Sequence, residues 1–259
     1  MAKPGSTPTL AGWYVISLRP SGSHAPVRRA AAALGARVLP VSTLRLLSVD
    51  AGAALAAALA CPCVVFTSPS AVGFARRQRP LQPVDGQRWF AVGSGTAAVL
   101  QRAGVRRVSA PTERGDSEAL LALPELQEVR GQGVGLVTAP GGRGLIAETL
   151  AQRGALVHVA EVYRRAPVAP TAGRLKLLDE LPDTSALLVS SADAFDGLWS
   201  RLAEPARLRL RNRPVVASSP RLAGMLAAQG FSMIVMAEGA TPSRLLDALA
   251  ADVVAGRFR

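Results

Sequence analysis

The sequence predicts an α/β protein made of two similar lobes, each a mostly parallel sheet flanked by helices. Short apolar runs alternate with stretches of helix composition along the 259 residues. Each run tends to end in glycine or small hydroxylated residues just before a helical stretch. The pattern is also written twice. FTSPSAV from Phe66 aligns with VSSADAF from Val189, AVGSGTAAVLQRAGV from Ala91 with VASSPRLAGMLAAQGF from Val216, and GDSEALL from Gly115 with TPSRLL from Thr241. The intervals between matched positions barely drift, as loop insertions in a duplicated unit would produce. Two lobes facing each other leave a cleft lined by strand-end loops, the expected place for a sizeable anionic ligand.

Residues 1–11, rich in Pro, Gly, Ser and Thr, read as a loose tail. Residues 13–18 form an apolar strand, 19–23 the turn after it, and 26–34 a helix with Pro26 in its first turn and Gly35 as its stop. Residues 38–47 are extended again. An alanine-rich helix at 51–60 leads to a strand at 64–66, the turn 67–70 and a short helix from Ala71. Then come a strand at 89–92, the loop 93–96, a helix at 97–103, a strand at 105–109 and a helix opened by Asp116-Ser117-Glu118. A strand at 135–138, the loop 139–144 and a helix at 145–152 precede VHVAEVYRR, residues 157–165, which read as one strand. Past Pro167 and Pro170, helices at 172–180, 192–202, 222–228 and 244–255 alternate with strands at 186–189, 214–217 and 232–235.

At 49% hydrophobic the chain can bury a large core, but aromatic residues are only 4%, so that core is built from Ala, Leu and Val. The net charge of +12 comes almost wholly from arginine, since Lys3 and Lys176 are the only lysines. Guanidinium is a planar, bidentate partner for carboxylate and phosphate, so the balance suits an anionic partner; scattered arginines also serve simply to solvate a surface. The arginines fall in small groups without a long basic run or interleaved aromatics, which disfavours nucleic acid. Cys61 and Cys63 have no second pair and no nearby His, so a buried reduced pair is expected rather than a metal site or a disulfide. No apolar core of signal-peptide length opens the chain. The longest apolar run, 53–60, stops at Pro62 well short of a membrane span, so the chain reads as soluble and cytoplasmic, with no membrane partner.

Strand-end loops before helix N-termini expose backbone N–H groups and the positive end of the helix dipole, which suits anions. Ser, Thr and Gly are also ordinary capping residues, so each such loop has a structural reading beside the functional one. Tyr163 is one of two tyrosines and lies between Glu161 and the bases Arg164 and Arg165. A tyrosine near a strand end ordinarily packs half-buried with its hydroxyl in water. It also offers a phenol able to act as an acid, a role that neighbouring arginines would weaken by favouring phenolate.

Taken in order, these residues resemble the uroporphyrinogen-III synthase family. The resemblance rests on Arg19-Pro20, on Phe66-Thr67-Ser68-Pro69-Ser70-Ala71-Val72, on Ala91-Val92-Gly93-Ser94-Gly95-Thr96-Ala97 and on Ser117-Glu118-Ala119-Leu120-Leu121. Above all it rests on Gly141-Gly142-Arg143 through Glu161-Val162-Tyr163-Arg164-Arg165, and it runs from Trp13 to about Leu249. It implies two lobes joined by a two-stranded linker: residues 1–37 with 167–259, an inserted lobe at 43–159, and linker strands at 38–42 and 160–166. It implies a cofactor-free, metal-free lyase that cyclises the linear tetrapyrrole hydroxymethylbilane, with loss of water and inversion of the last pyrrole ring, to uroporphyrinogen III in haem biosynthesis. A monomer is expected, with a transient contact to the preceding pathway enzyme. Tyr163 becomes the catalytic candidate, set at the cleft mouth. The binding candidates are Arg19, Thr67, Ser68, Gly93, Ser94, Thr96, Ser117, Gly142, Arg143, Ser190, Ser191, Ser218 and Arg221. Thr138-Ala139-Pro140 departs from a Leu-Arg-Gly-like segment common in the family, so turn formation is an equal reading of Gly142 and Arg143. The alternative from another class is a two-lobed binding protein for a nucleotide or other phosphorylated small molecule. Against it, the chain has no Walker pattern, and Gly93-Ser94-Gly95 lacks the remaining glycine of a dinucleotide fingerprint.

Overall fold

The computed structural model of the chain describes residues 9–112, 115–141 and 144–258. Their elements, in order, are β1 (Tyr14–Ser17), α1 (Ala25–Ala33), β2 (Arg37–Pro40), β3 (Leu44–Ser48), α2 (Gly52–Leu59), β4 (Cys63–Phe66), α3 (Pro69–Gln78), β5 (Arg88–Ala91) and α4 (Ser94–Arg102). Next come α5 (Ser117–Leu121), a 3-10 turn at Pro124–Leu126, β6 (Gly133–Thr138), α6 (Leu145–Gln152), β7 (Leu156–Glu161) and β8 (Tyr163–Pro167). The chain ends with α7 (Ala172–Asp179), β9 (Ser185–Val189), α8 (Ala192–Trp199), α9 (Glu204–Arg211), β10 (Val215–Ala217), α10 (Pro220–Ala228), β11 (Ile234–Met236) and α11 (Pro242–Val254). The chain divides into two compact units: the residues up to Arg45 together with those from Ala166, and Leu46–Arg165.

The first unit holds a five-stranded sheet in the order β11-β10-β9-β1-β2, with every neighbouring pair parallel. The second holds a four-stranded parallel sheet in the order β5-β4-β6-β7. In both, the central strands are buried on both faces, as covered parallel strands must be, while the edge strand β7 leaves Leu156, His158 and Val159 exposed. All five residues of β9 and all four of β4 are buried. Alternation then assigns each residue to one face. Ile16 packs into one core of the first unit and Val15 into the other. Val64 and Phe66 face one core of the second unit, while Cys63 and Val65 face its other core. Phe66 stacks on Trp89 with centroids 5.5 Å apart.

The duplicated plan is visible in matching helix starts. Ser68, Ser191 and Ser219 each hold extended backbone at an N-cap and accept a hydrogen bond from the backbone N–H three residues on, at Ala71, Ala194 and Leu222. Such a cap satisfies one donor that the helix itself leaves free.

Several local expectations change. Residues 38–47 divide into β2, which joins the five-stranded sheet, and β3, which pairs with β8; that two-stranded pair, not residues 38–42 with 160–166, is the separate ribbon. Residues 157–165 are two strands, broken at Val162. The Val162 N–H donates to the Thr138 carbonyl, and its own carbonyl accepts from Val49 N–H and leaves the four-stranded sheet. Residues 105–109 form no strand; Ser109 makes only an isolated bridge to Phe90. Helix α9 was not expected. Its entry signal is Glu204-Pro205, with proline in the first turn, where a missing N–H costs nothing.

Helix α2 crosses β6 at Gly135, so closely that a Cβ there would run into the Ala58 carbonyl and lie 2.8 Å from the Ala58 Cα. Both obstacles are backbone. Gly135→Ala is therefore expected to destabilise the protein by about 1–3 kcal/mol, read as a drop of several degrees in Tm; an unchanged Tm would contradict this close approach.

Candidate functional site

The C-terminal end of β4 delivers two hydroxyls in succession. Thr67 Oγ donates to Thr138 Oγ at 2.9 Å, and Ser68 Oγ, besides capping α3, lies 3.1 Å from the Tyr163 hydroxyl. Tyr163, at the start of β8, is only 3% exposed, and its ring stacks on Phe74 at 5.2 Å. The ring belongs to a core cluster, as the packing reading expects, and Tyr163 also lines a cavity. Arg164 and Arg165 are exposed, and Arg165 donates to the Pro140 carbonyl, so the phenol's hydrogen-bond partner is a serine and not an arginine. The reason is strand alternation, which sends Arg164 to the opposite face, together with a partner 95 residues away in sequence.

The cavity, about 360 Å³, is lined by Thr67, Ser68, Ser117, Thr138, Glu161, Tyr163 and Arg165 over an apolar floor that includes Leu136 and Ile146. Ser68, the N-cap of α3, and the first turn of α6 border it, and a helix N-terminus favours an anionic group. Of the expected residues, Tyr163, Thr67, Ser68 and Ser117 come together here. Thr138 was missed, although its position at the end of β6 carries the same strand-end hydroxyl signal. Gly93, Ser94 and Thr96 do not line this cavity. Gly93 instead meets Gly115 backbone to backbone, where a Cβ would lie 2.8 Å from the Gly115 Cα; Ser94 is exposed and Thr96 is buried at 2%. Gly142 and Arg143 lie outside the described residues. A larger surface hollow, about 470 Å³, is lined by Gln127, Glu128, Arg130 and Arg153 and offers neither a hydroxyl nor a phenol.

The first unit carries its own strand-end set. Ser190 and Ser191 follow β9, with Ser191 capping α8. Ser218 follows β10 and donates its N–H to the Val189 carbonyl, while Arg221 is exposed in the first turn of α10. Arg19 follows β1, is half-buried, and donates to the Ala240 carbonyl at 2.6 Å. Burial lowers the pKa of its guanidinium. Beside it sits a residue that sequence reasoning passed over, His24, 7% exposed, with Nδ1 3.0 Å from Ser17 Oγ and Nε2 2.7 Å from Ser42 Oγ. Desolvation first, then the charges of Arg28, Arg19 and Arg174, push its pKa down to about 4, so the imidazole is neutral at pH 7.

Among the described residues, no group of three His, Cys, Asp or Glu side chains is placed to hold a metal ion, and no helix is long and apolar enough to cross a membrane. Cys61 and Cys63 are buried and unpaired.

A family model described as "Uroporphyrinogen-III synthase HemD" matches residues 26–247. The uroporphyrinogen-III synthase of Escherichia coli (strain K12) is 32% identical over 186 residues, covering 70% of this chain and 76% of that protein. The Salmonella typhimurium enzyme of the same name is 35% identical over 190 residues, again covering 70% and 76%. The uroporphyrinogen-III synthetase of Helicobacter pylori shares the fold with a TM-score of 0.62 at 15% identity, over 94% of this chain and 99% of that one. A mutant uroporphyrinogen III synthase from Thermus thermophilus gives 0.57 at 21% identity, over 92% and 99%. The family model spans most of the chain and these relatives carry one name, so the chain belongs to the uroporphyrinogen-III synthase family, whose members are cyclising lyases.

Proposed function

We propose that this chain converts hydroxymethylbilane to uroporphyrinogen III with Tyr163 as the proton donor and the strand-end hydroxyls and arginines as carboxylate ligands. The observation that carries the reading is the Tyr163–Ser68 hydrogen bond at the wall of a hydroxyl-lined cavity. Ser68 Oγ already accepts from the Ala71 N–H. When Ser68 donates its own proton to the phenol oxygen, the Tyr163 proton is left for a ligand.

The chemistry needs such a proton once. The carbon–oxygen bond of the hydroxymethyl group breaks, the oxygen takes the phenol proton and leaves as water, and the adjacent pyrrole nitrogen stabilises the cation. The last ring then attacks through its substituted carbon to give a spiro-type intermediate. Fragmentation and closure from the other side invert that ring, and the proton released at closure returns to the phenolate. The rest of the catalysis is folding a flexible polyanion so that its two ends meet, a matter of proximity more than of acid strength. Backbone N–H groups at helix starts and a net charge of +12 serve that binding. We also infer a monomer working in the cytoplasm, where buried free cysteines stay reduced. A transient contact with the enzyme that supplies hydroxymethylbilane would limit its spontaneous closure.

With freshly made hydroxymethylbilane, isomer analysis of the oxidised products is expected to give predominantly uroporphyrin III. Predominantly isomer I, the spontaneous product, would sink the reading. Tyr163→Phe is expected to lower kcat by roughly 10- to 100-fold with little change in Tm, because the ring and its stacking on Phe74 remain; full activity would remove Tyr163 from the mechanism.

A further inference from the structure

With the imidazole neutral, the hydrogen bonds around His24 admit one assignment of protons. A carbonyl only accepts, so the Ser42 hydroxyl donates to the Arg19 carbonyl at 3.0 Å. Ser42 Oγ must then accept at 2.7 Å from His24, which places the ring proton on Nε2. Nδ1 is left with a lone pair and accepts from the Ser17 hydroxyl at 3.0 Å. The relay Ser17 to His24 to Ser42 to the Arg19 carbonyl thus runs in one direction, and no member can reverse without breaking the next bond. It joins the last residue of β1, the start of α1 and the segment before β3 to the backbone of Arg19. The Ser21 N–H, donating to the Leu44 carbonyl at 2.9 Å, ties the same loop to the same segment.

Arg19 itself is left under-used. Among the described residues its five donors make one hydrogen bond, to the Ala240 carbonyl, and no carboxylate pairs with it. The charged groups acting on His24 are Arg28, Arg19 and Arg174, all of one sign. A protonated imidazole here would have to donate to Ser17 instead of accepting from it and would add a fourth positive charge, whereas the neutral ring completes the one-way relay.

We propose that His24 is a positioning residue that acts through Arg19: by way of Ser42 it fixes the Arg19 backbone, and so aims the free face of the guanidinium at a carboxylate of the substrate. This rests on the function proposed above and adds a residue to it. His24→Ala is expected to raise KM for hydroxymethylbilane about tenfold while kcat stays within about twofold. His24→Gln should recover most of that loss, since its amide oxygen can accept from Ser17 and its NH₂ can donate to Ser42. Ser42→Ala, which removes only the last link, should reproduce the KM increase and serves if His24→Ala fails to fold. In an Arg19→Ala background, His24→Ala should add nothing further to KM. An unchanged KM in His24→Ala and Ser42→Ala, or an equal increase with and without Arg19, would overturn the proposal. If wild type makes only isomer I, the functional reading fails first; if wild type makes isomer III and the KM pattern is absent, the positioning role fails alone.

A second readout follows from linkage. The imidazole titrates near 6.5 unfolded and near 4 folded, so between those values the unfolded state binds more protons. The stability that neutral His24 supports is fully present above pH 6.5 and falls as pH drops toward 4. The Tm of wild type should therefore decline more steeply over that window than the Tm of His24→Gln, and parallel pH profiles would overturn the neutral, relay-bound state.

Discussion

Two-sided burial of parallel strands is the constraint on which the rest of this molecule depends. Strands such as β4 and β9, with no exposed residue, require apolar cover on both faces, and the helices that connect parallel strands supply it. Both faces of the central strands are thereby used up in packing. Chemistry is confined to the strand ends, where chain direction changes and helix N-termini leave backbone N–H groups without partners. A small hydroxylated residue is the economical answer there, because one oxygen can cap the helix and still meet a second group. Ser68 does both, holding the Ala71 N–H and the Tyr163 hydroxyl.

The strong positive charge is less uniform in purpose than its size suggests. Arg207 and Arg211 lie over Trp199 and pair with Glu204. Arg153 satisfies the carbonyls of Leu121 and Leu126, and Arg88 bridges Cys63 and Gln132. Arg213, 4% exposed, donates to the Leu181 carbonyl. These guanidiniums serve packing and backbone satisfaction, and exposed pairs such as Arg209–Asp179 contribute little to stability. Arg19 differs, being half-buried after a strand end and making one side-chain hydrogen bond among the described residues. In the function proposed above, net charge serves capture of a polyanion at long range, and specific recognition is assigned to arginines such as Arg19.

The fold was legible because its determinants are local and repeated. Apolar runs, proline in first turns and serine caps involve neighbours within a few residues, and duplication showed each of them twice. Where the signal was weak, reading failed. Residues 105–109 have strand composition but pair at one position only, and α9 is a polar, arginine-rich helix whose apolar face is narrow. The candidate site was legible in part: strand-end hydroxyls at Thr67, Ser68 and Ser117 meet at one cavity, while the equally plausible Gly93, Ser94 and Thr96 lie away from it. Thr138 was overlooked although it carries the same strand-end hydroxyl signal, and His24 because the groups that give it a role, Ser17 and Ser42, lie on other segments.

The sequence by itself determined the α/β class, the two-fold repeat and the presence of a tyrosine beside charged residues near a strand end. Tertiary structure decided which groups that tyrosine meets, replacing the adjacent arginines with Ser68 and Phe74. It also decided that His24 lies between Ser17 and Ser42, where burial and three arginines push its pKa down. Helix caps and apolar periodicity depend on atoms a few bonds apart and can be read along the chain. Hydrogen-bond partners and protonation depend on which distant segments the packed sheets bring within 3 Å, and only the folded chain fixes those.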